Sequence, residues 1–403
     1  MKKKVKIEGF DQFACIGGEC PITCCQEWKI SVDEETEKRW KAWEDKNPNA
    51  RAFTNHITTK ANQRIIHLND NKQCPFLNQQ KLCTLVIEHG DGMLSKTCAS
   101  FPRLFNEFDD RMEYSLMSGC PVVIDQMKAA VQISFKEEND LQLGANSDLA
   151  KSYNNDRKTD AAKNYTQHLL SDLRTKIIVW VQDDRYSIEM SLMMIFYSLL
   201  ELQSQGNITA HNLERYFHKE IFEAIAESSS EMKLSRVDQF YERNELFLDF
   251  IENYRKEKLY TRYLAMIAKK AEELSNHVKA GELKKQSDAF QNHIKAYDPL
   301  FRNYLVAELF NNSLHQESDL KSFIMMFQWL VLEYTSMRHA MYLCWLVSEE
   351  KQLPYEVVRD YMVVFSRMMG YEEKDIHEYL EVSYPNVILD WGYLALLVGN
   401  NHK

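Results

Sequence analysis

Eight of the nine cysteines fall at or before Cys120, and four of them crowd into the stretch FACIGGECPITCCQEW, at Cys15, Cys20, Cys24 and Cys25. No other feature limits the fold of this part of the chain so strongly. A small loop-rich unit buries little apolar surface and needs a staple, which thiols provide either as disulfides or as metal ligands. Proline changes with the same boundary: five of the eight prolines lie at or before Pro121, and none occurs between Val122 and Asp298. Because proline breaks helix interiors, the long gap permits continuous helices.

Periodicity supports helices there. Ile188, Leu192, Ile195 and Leu199 follow the spacing of one helical face, as do Phe247, Phe250, Ile251 and Tyr254, and then Tyr260, Tyr263, Ile267 and Ala271. The expected architecture is mainly α: a small, irregular, cysteine-rich α+β domain over residues 1–125, then an all-helical bundle or stack over 126–403. A subdivision of the helical part is expected near 279–295, and about ten helices in all. Within the first part, WKISVD favours a short extended piece, and Ser31 with Glu34, or Asp33 alone, caps a helix carrying Trp40 and Trp43. RIIHL and RMEYSL read as strands, and VIEHG as a helical turn ending at Gly90.

With 45% hydrophobic and 27% charged residues the chain is that of a globular protein, and a formal charge of −10 argues against a nucleic-acid surface. The most apolar windows, 187–202 and 323–347, are interrupted by Glu189, Glu201, Glu333 and Arg338, so they read as buried core helices and not as membrane spans. Peripheral membrane association stays open. The start, MKKKVKIEGFDQF, places Glu8 and Asp11 where the apolar run of a secretion signal belongs. A cytoplasmic location is therefore expected, where thiols are kept reduced and disulfides are disfavoured.

Metal ligation is then the leading reading of the cysteines, because plain core cysteines do not gather beside proline and glycine. Soft thiolates suit zinc or an iron–sulfur cluster. If CPITCC forms a helical turn, Cys20 and Cys24 project from one face. Adjacent Cys24 and Cys25 should point apart, a difficulty that either a polynuclear cluster or two zinc sites relieves. The polar turn NQQK folds Cys74 back near Cys83, and the turns CASFPR and GCP orient Cys98 and Cys120. Arg103, in CASFPR, is either a cation beside an anionic cluster or a surface arginine with a carboxylate partner. Cys344, in MYLCWLV, reads as a small core residue.

Several signatures are missing. Gln26 and Glu27 follow Cys25, so the C-x₃-C-x₂-C of a radical enzyme is absent, and HGDGML supplies only Gly90 and Gly92 of a nucleotide loop. The histidines show no paired spacing, and no catalytic residue is identifiable.

The segments FACIGGECPITCCQEWKISVDEET, CPFLNQQKLCTLVIEHGDGMLSKTCASFPR and SGCP together resemble the bacterial flagellin lysine-N-methylase family, whose cysteine block is related to zinc- or iron-chelating domains. The resemblance runs from about Phe13 to Pro121, with Glu27 where a glycine is common in that family. It implies a methyltransferase that uses S-adenosylmethionine to methylate lysine ε-amino groups of flagellin. It also implies a [4Fe–4S] cluster held by four of Cys15, Cys20, Cys24, Cys25, Cys74, Cys83, Cys98 and Cys120. The competing reading is a non-enzymatic zinc- or iron-binding module whose helical part docks a protein partner.

Overall fold

Among the described residues, the proline-free stretch from Ala161 onward is almost wholly helical. In the computed structural model, which describes every residue except 1, 50–51, 61–62, 139–160, 276–277, 371–372, 386 and 400–403, twelve α-helices follow one another from Ala161 onward. Before them come strands β1 (Lys3–Ile7), β2 (Ile57–Lys60), β3 (Gln63–Ile66), β4 (Arg103–Glu107), β5 (Arg111–Leu116) and β6 (Phe135–Glu138). Helices α1 (Glu34–Lys46), α2 (Thr84–His89), α3 (Lys96–Ser100) and α4 (Pro121–Ala129) lie among them. The helical part comprises α5 (Ala161–Gln182), α6 (Ile188–Ser204), α7 (Ala210–Tyr216), α8 (Lys219–Ser230), α9 (Arg236–Lys256) and α10 (Thr261–Leu274). It continues with α11 (Ala280–Ile294), α12 (Asp298–Asn312), α13 (Leu320–Val347), α14 (Tyr355–Met368), α15 (Glu373–Ser383) and α16 (Trp391–Val398). The 279–290 segment is mostly α11 itself.

Helix α13 is the axis of the bundle. Every residue from Phe323 to Leu343 is buried, so the helix is apolar nearly all round and is enclosed by its neighbours. No helix among the described residues is long and apolar enough to cross a membrane. The faces expected from periodicity are the ones buried: Ile188, Leu192, Ile195 and Leu199 on α6, Phe247 and Ile251 on α9, Ile267 and Ala271 on α10.

Two cores share the molecule. A small one gathers Ile30, Val32, Trp40, Phe53, Ile66, Phe76, Leu85 and Met93. The Asp33 side chain caps α1 by accepting from Thr36 N, and Trp40 donates from its indole to Met93 O at 2.8 Å. The larger core is that of the helices, and the four-stranded sheet, ordered β4-β5-β1-β6, contributes Ile7 and Leu116 to it, with Phe108 from the turn between β4 and β5. β1 runs parallel to β5, with Lys3 opposite Arg111, and antiparallel to β6.

Polar groups fix the sheet on the helices. Glu113, buried on β5, accepts from Arg111 Nε at 2.6 Å and from Arg174 Nη1 of α5 at 2.9 Å. On α12, Asn303 donates to Met127 O and Ala130 O and accepts from Ile133 N, while Asn311 donates to Leu116 O. Buried backbone groups at strand and helix ends need such partners, and asparagine amides supply donor and acceptor together.

Candidate functional site

The cysteine region is built by turns, and the local sequence explains each. Cys20 is extended (φ −66°, ψ 122°), because the proline after it disfavours helical backbone; the condition for Cys20 and Cys24 to share a helical face, a helical turn over CPITCC, is not met. Gly17–Glu19 forms a single 3₁₀ turn that lies against the NQQK turn. A Cβ on Gly18 would stand 2.6 Å from Gln80 O, so glycine is what allows the two backbones to meet. The NQQK turn closes as expected: Asn78 N donates to Leu82 O at 2.9 Å, and Leu77 and Cys83 bridge across it. Cys74 N donates to Cys25 O at 2.7 Å, which ties the CC dipeptide to the hairpin.

These ties divide the thiols. Cys74 is buried in the small core, and Cys25, Cys83 and Cys98 pack against it. Cys120 is buried in the large core. Electrostatic interaction links Cys25 to Cys74 and Cys98, and Cys98 to Cys83; it also links Cys20 to Cys15 and Cys24, and Cys120 to Cys20. Cys24 stands between the sets. It interacts with Cys20 on one side and with Cys74 and Cys98 on the other.

Although adjacent residues of a helix or strand point apart, the Cys24 and Cys25 thiols interact with each other through a side-chain hydrogen bond. The dipeptide lies in neither helix nor strand, which removes the alternation that would separate them. That hydrogen bond, with the Arg367 guanidinium, lowers the Cys24 thiol to about 7, whereas the same bond and burial push the Cys25 thiol far up. Burial raises Cys74 to about 12, Cys98 to about 11 and Cys120 to about 12. All nine cysteines are free thiols.

The set has the chemistry of a soft metal centre: reduced sulfur, buried or half-buried except at Cys15, with the thiolate form costly for the buried members unless a cation accompanies it. As the side chains stand, no three His, Cys, Asp or Glu side chains among the described residues are close enough together to hold an ion. Protonated thiols have no charge that would draw them tighter.

Arg103 and Arg367 occupy different places. Arg103 donates to Phe13 O at 3.1 Å and lies over the Phe10 and Phe13 rings. The guanidinium in electrostatic range of Cys20, Cys24 and Cys120 is that of Arg367, on α14. It is buried over the Trp28 ring and donates to Gly119 O at 2.8 Å, Ile22 O at 2.9 Å and Thr23 O at 3.1 Å. The helical part thus holds the backbone on both sides of the thiol site.

Residues 174–397, which include Arg367, match the model of the FliB lysine N-methylase C-terminal domain. The chain belongs to the FliB lysine N-methylase family. The flagellar biosynthetic protein FliU of Salmonella muenchen is 33% identical over 121 residues, covering 28% of this chain and 70% of FliU. Lysine-N-methylases of Salmonella typhimurium and Salmonella choleraesuis are each 32% identical, over 122 and 128 residues. Those two matches cover 29% and 28% of this chain and 30% of each methylase, so the chain aligns with under a third of their length. No solved structure matches.

The FliB domain also holds two buried polar sites that spacing did not reveal. Glu308 of α12 accepts from the Ser118 hydroxyl, two residues before Cys120, and from Asn312 Nδ2 at 2.6 Å; Glu333 of α13 accepts from the Tyr304 hydroxyl. Neither carboxylate forms an ion pair with a described cation. Burial pushes the Glu308 carboxyl up to about 7, and burial with the Glu308 charge pushes Glu333 further. The second site surrounds Arg338, which donates to Glu189 Oε1 at 2.7 Å and to Gln291 Oε1 at 2.6 Å. Both sites carry charges that interrupt the apolar windows of the sequence, and that interruption was the available signal.

Proposed function

We propose that this FliB family member is a protein-lysine N-methyltransferase that transfers methyl groups from S-adenosylmethionine to lysine ε-amino groups of flagellin in the cytoplasm. What supports the reading is family membership, together with free thiols at Cys25, Cys74, Cys83 and Cys98 gathered on one small core, beside Cys24, which an arginine of the family domain faces.

A [4Fe–4S] cluster would be held by Cys25, Cys74, Cys83 and Cys98, with Cys24 within reach of the same set, and would supply an electron-transfer or Lewis-acid centre when bound. Cys15, Cys20 and Cys120 then serve as structural thiols. The chain's own groups have two tasks. Arg367 holds the 22–24 and 119–120 backbone together and offsets negative charge at the thiols. A carboxyl of shifted affinity takes the proton of the lysine ammonium, whose ordinary pKa near 10.4 leaves it protonated and unreactive. Glu308, raised to about 7 and hydrogen-bonded next to the Cys120 turn, has the proton affinity such a base needs.

The test is incubation of anaerobically prepared protein with S-adenosylmethionine and flagellin, followed by mass measurement of lysine peptides. Gain of methyl groups on lysine supports the reading, and unmodified peptides overturn it. A brown preparation with broad visible absorption indicates iron–sulfur; a colourless one with stoichiometric zinc favours the metal-binding module instead.

A further inference from the structure

We infer that the cavity enclosed by α6, α9, α11, α13 and α16 binds the α-amino-carboxylate end of a small molecule, which in this chain is S-adenosylmethionine. The ligand's identity rests on the methyltransferase reading above; the zwitterion specificity does not.

The cavity measures about 70 Å³, several times the roughly 10–15 Å³ that admits one water. That is room for a charged head group with the remainder of a ligand outside. Its walls carry both signs of charge. Glu189, Asp288 and Gln291 present acceptors, and Arg236, Arg243 and Arg338 present guanidiniums.

The pairing among these groups leaves one cation over. Arg338 has Glu189 at 2.7 Å, and Arg236 has Asp288 at 2.6 Å. Arg243, part-buried on α9, has no ion pair with a described carboxylate. Its Nε and Nη2 donate to the carbonyls of Leu397 and Gly399 at the end of α16. Those carbonyls carry partial negative charge, yet a guanidinium in a cavity is best satisfied by a planar carboxylate.

A second observation points the same way. Tyr342 lines the cavity, is 7% exposed, and its hydroxyl has no hydrogen-bond partner. A buried hydroxyl normally has one. A ligand carboxylate gives Arg243 an anion, the polar end of the ligand offers the Tyr342 hydroxyl an acceptor, and an ammonium is drawn by Glu189 and Asp288, each of which also holds an arginine. His339, hydrogen-bonded to Asn244 at 3.0 Å and held neutral, adds no competing charge.

Placement suits the proposed reaction. Glu333 precedes Arg338 by five residues on α13, about 8 Å of axial rise. Arg338 of the cavity and Glu333, whose neighbour Glu308 on α12 reaches Ser118, are therefore set at a fixed spacing by one helix.

Calorimetric titration of the full chain with S-adenosylhomocysteine and with 5′-methylthioadenosine, which lacks the amino-carboxylate, tests the inference. Arg243→Met should weaken S-adenosylhomocysteine binding about 10- to 100-fold, with partial recovery in Arg243→Lys. Tyr342→Phe should weaken it about 3- to 10-fold without changing the melting temperature, since the lost hydroxyl has no partner in the fold. Affinity for 5′-methylthioadenosine should be the same in all variants. Unchanged S-adenosylhomocysteine affinity in Arg243→Met and Tyr342→Phe overturns the inference, as does the absence of binding by the unmutated chain. If flagellin stays unmodified while S-adenosylhomocysteine binds in an Arg243-dependent way, the methyltransferase reading fails and the amino-carboxylate site stands. If flagellin is methylated with the same KM for S-adenosylmethionine in both variants, the reverse holds.

Discussion

The guanidinium of Arg367 donates to the carbonyl of Gly119 at 2.8 Å, and a Cβ on Gly119 would stand 3.2 Å from the Arg367 side chain. The glycine is thus the seat across which an arginine of the helical bundle reaches the backbone around Ile22, Thr23 and Cys120. Replacing Arg367 with Met removes donors from three carbonyls at once. Loss of about 3–5 kcal/mol of stability is expected, read by denaturant unfolding. Gly119→Ala should cost less, because the added Cβ meets only the flexible stem of Arg367. Equal stability of Arg367→Met and the unmutated protein would show that the clamp contributes nothing.

Gly18 is more tightly constrained, since its added Cβ meets backbone and not side chain. Gly18→Ala should separate the 17–19 turn from the 78–82 turn and cost about 1–3 kcal/mol. Proteolysis of the native protein should become faster within residues 14–24. A cleavage pattern and unfolding midpoint identical to those of the unmutated chain count against the contact.

Glu27 adopts φ +56°, the left-handed region that glycine enters without cost. Glu27→Gly should therefore be neutral or raise stability by up to about 1 kcal/mol. A marked destabilisation would mean that the Glu27 side chain has a role that outweighs its backbone strain.

For the metal site, Cys25→Ser, Cys74→Ser, Cys83→Ser and Cys98→Ser should each lower iron bound after anaerobic reconstitution to below about half. Cys344→Ser should leave it unchanged, because Cys344 lies on α13, in the helical bundle. Iron content and visible absorption give the answer. Full iron in all four variants removes that set from consideration.

Glu308 makes stability depend on pH. Its folded pKa is raised to about 7 from an ordinary 4.5, so its contribution is complete below about pH 4.5 and is lost as pH rises through about 7, amounting to about 3 kcal/mol. Glu308→Gln keeps hydrogen-bonding atoms for Ser118 and Asn312 without the charge. It should be more stable than the unmutated chain at pH 8 and show a flatter stability profile between pH 5 and 7, while methyl transfer falls if Glu308 serves as the base. Parallel pH profiles for the two proteins contradict the assignment.

Much of this was legible in short stretches. Asp33 caps α1, NQQK closes Cys74 toward Cys83, and Gly90 ends α2, because each depends on neighbours within a few residues. The buried face of α6 was equally legible, since helical periodicity is local. Whether CPITCC turns helical was left open by its spacing, and the extended bias before Pro21 decides against it. Glu189, Glu333 and Arg338 were visible as interruptions of apolar runs, but only the packing of α6, α11, α12 and α13 shows what they face.

The sequence by itself determined that cysteines would be concentrated ahead of a helical bundle, because residue type, proline placement and periodicity are properties of the chain. Which thiols share a core, and that Arg367 and not Arg103 reaches Cys24 and Cys120, were decided by tertiary structure alone. Contacts between residues hundreds of positions apart leave no trace in local spacing, and charge acts through space.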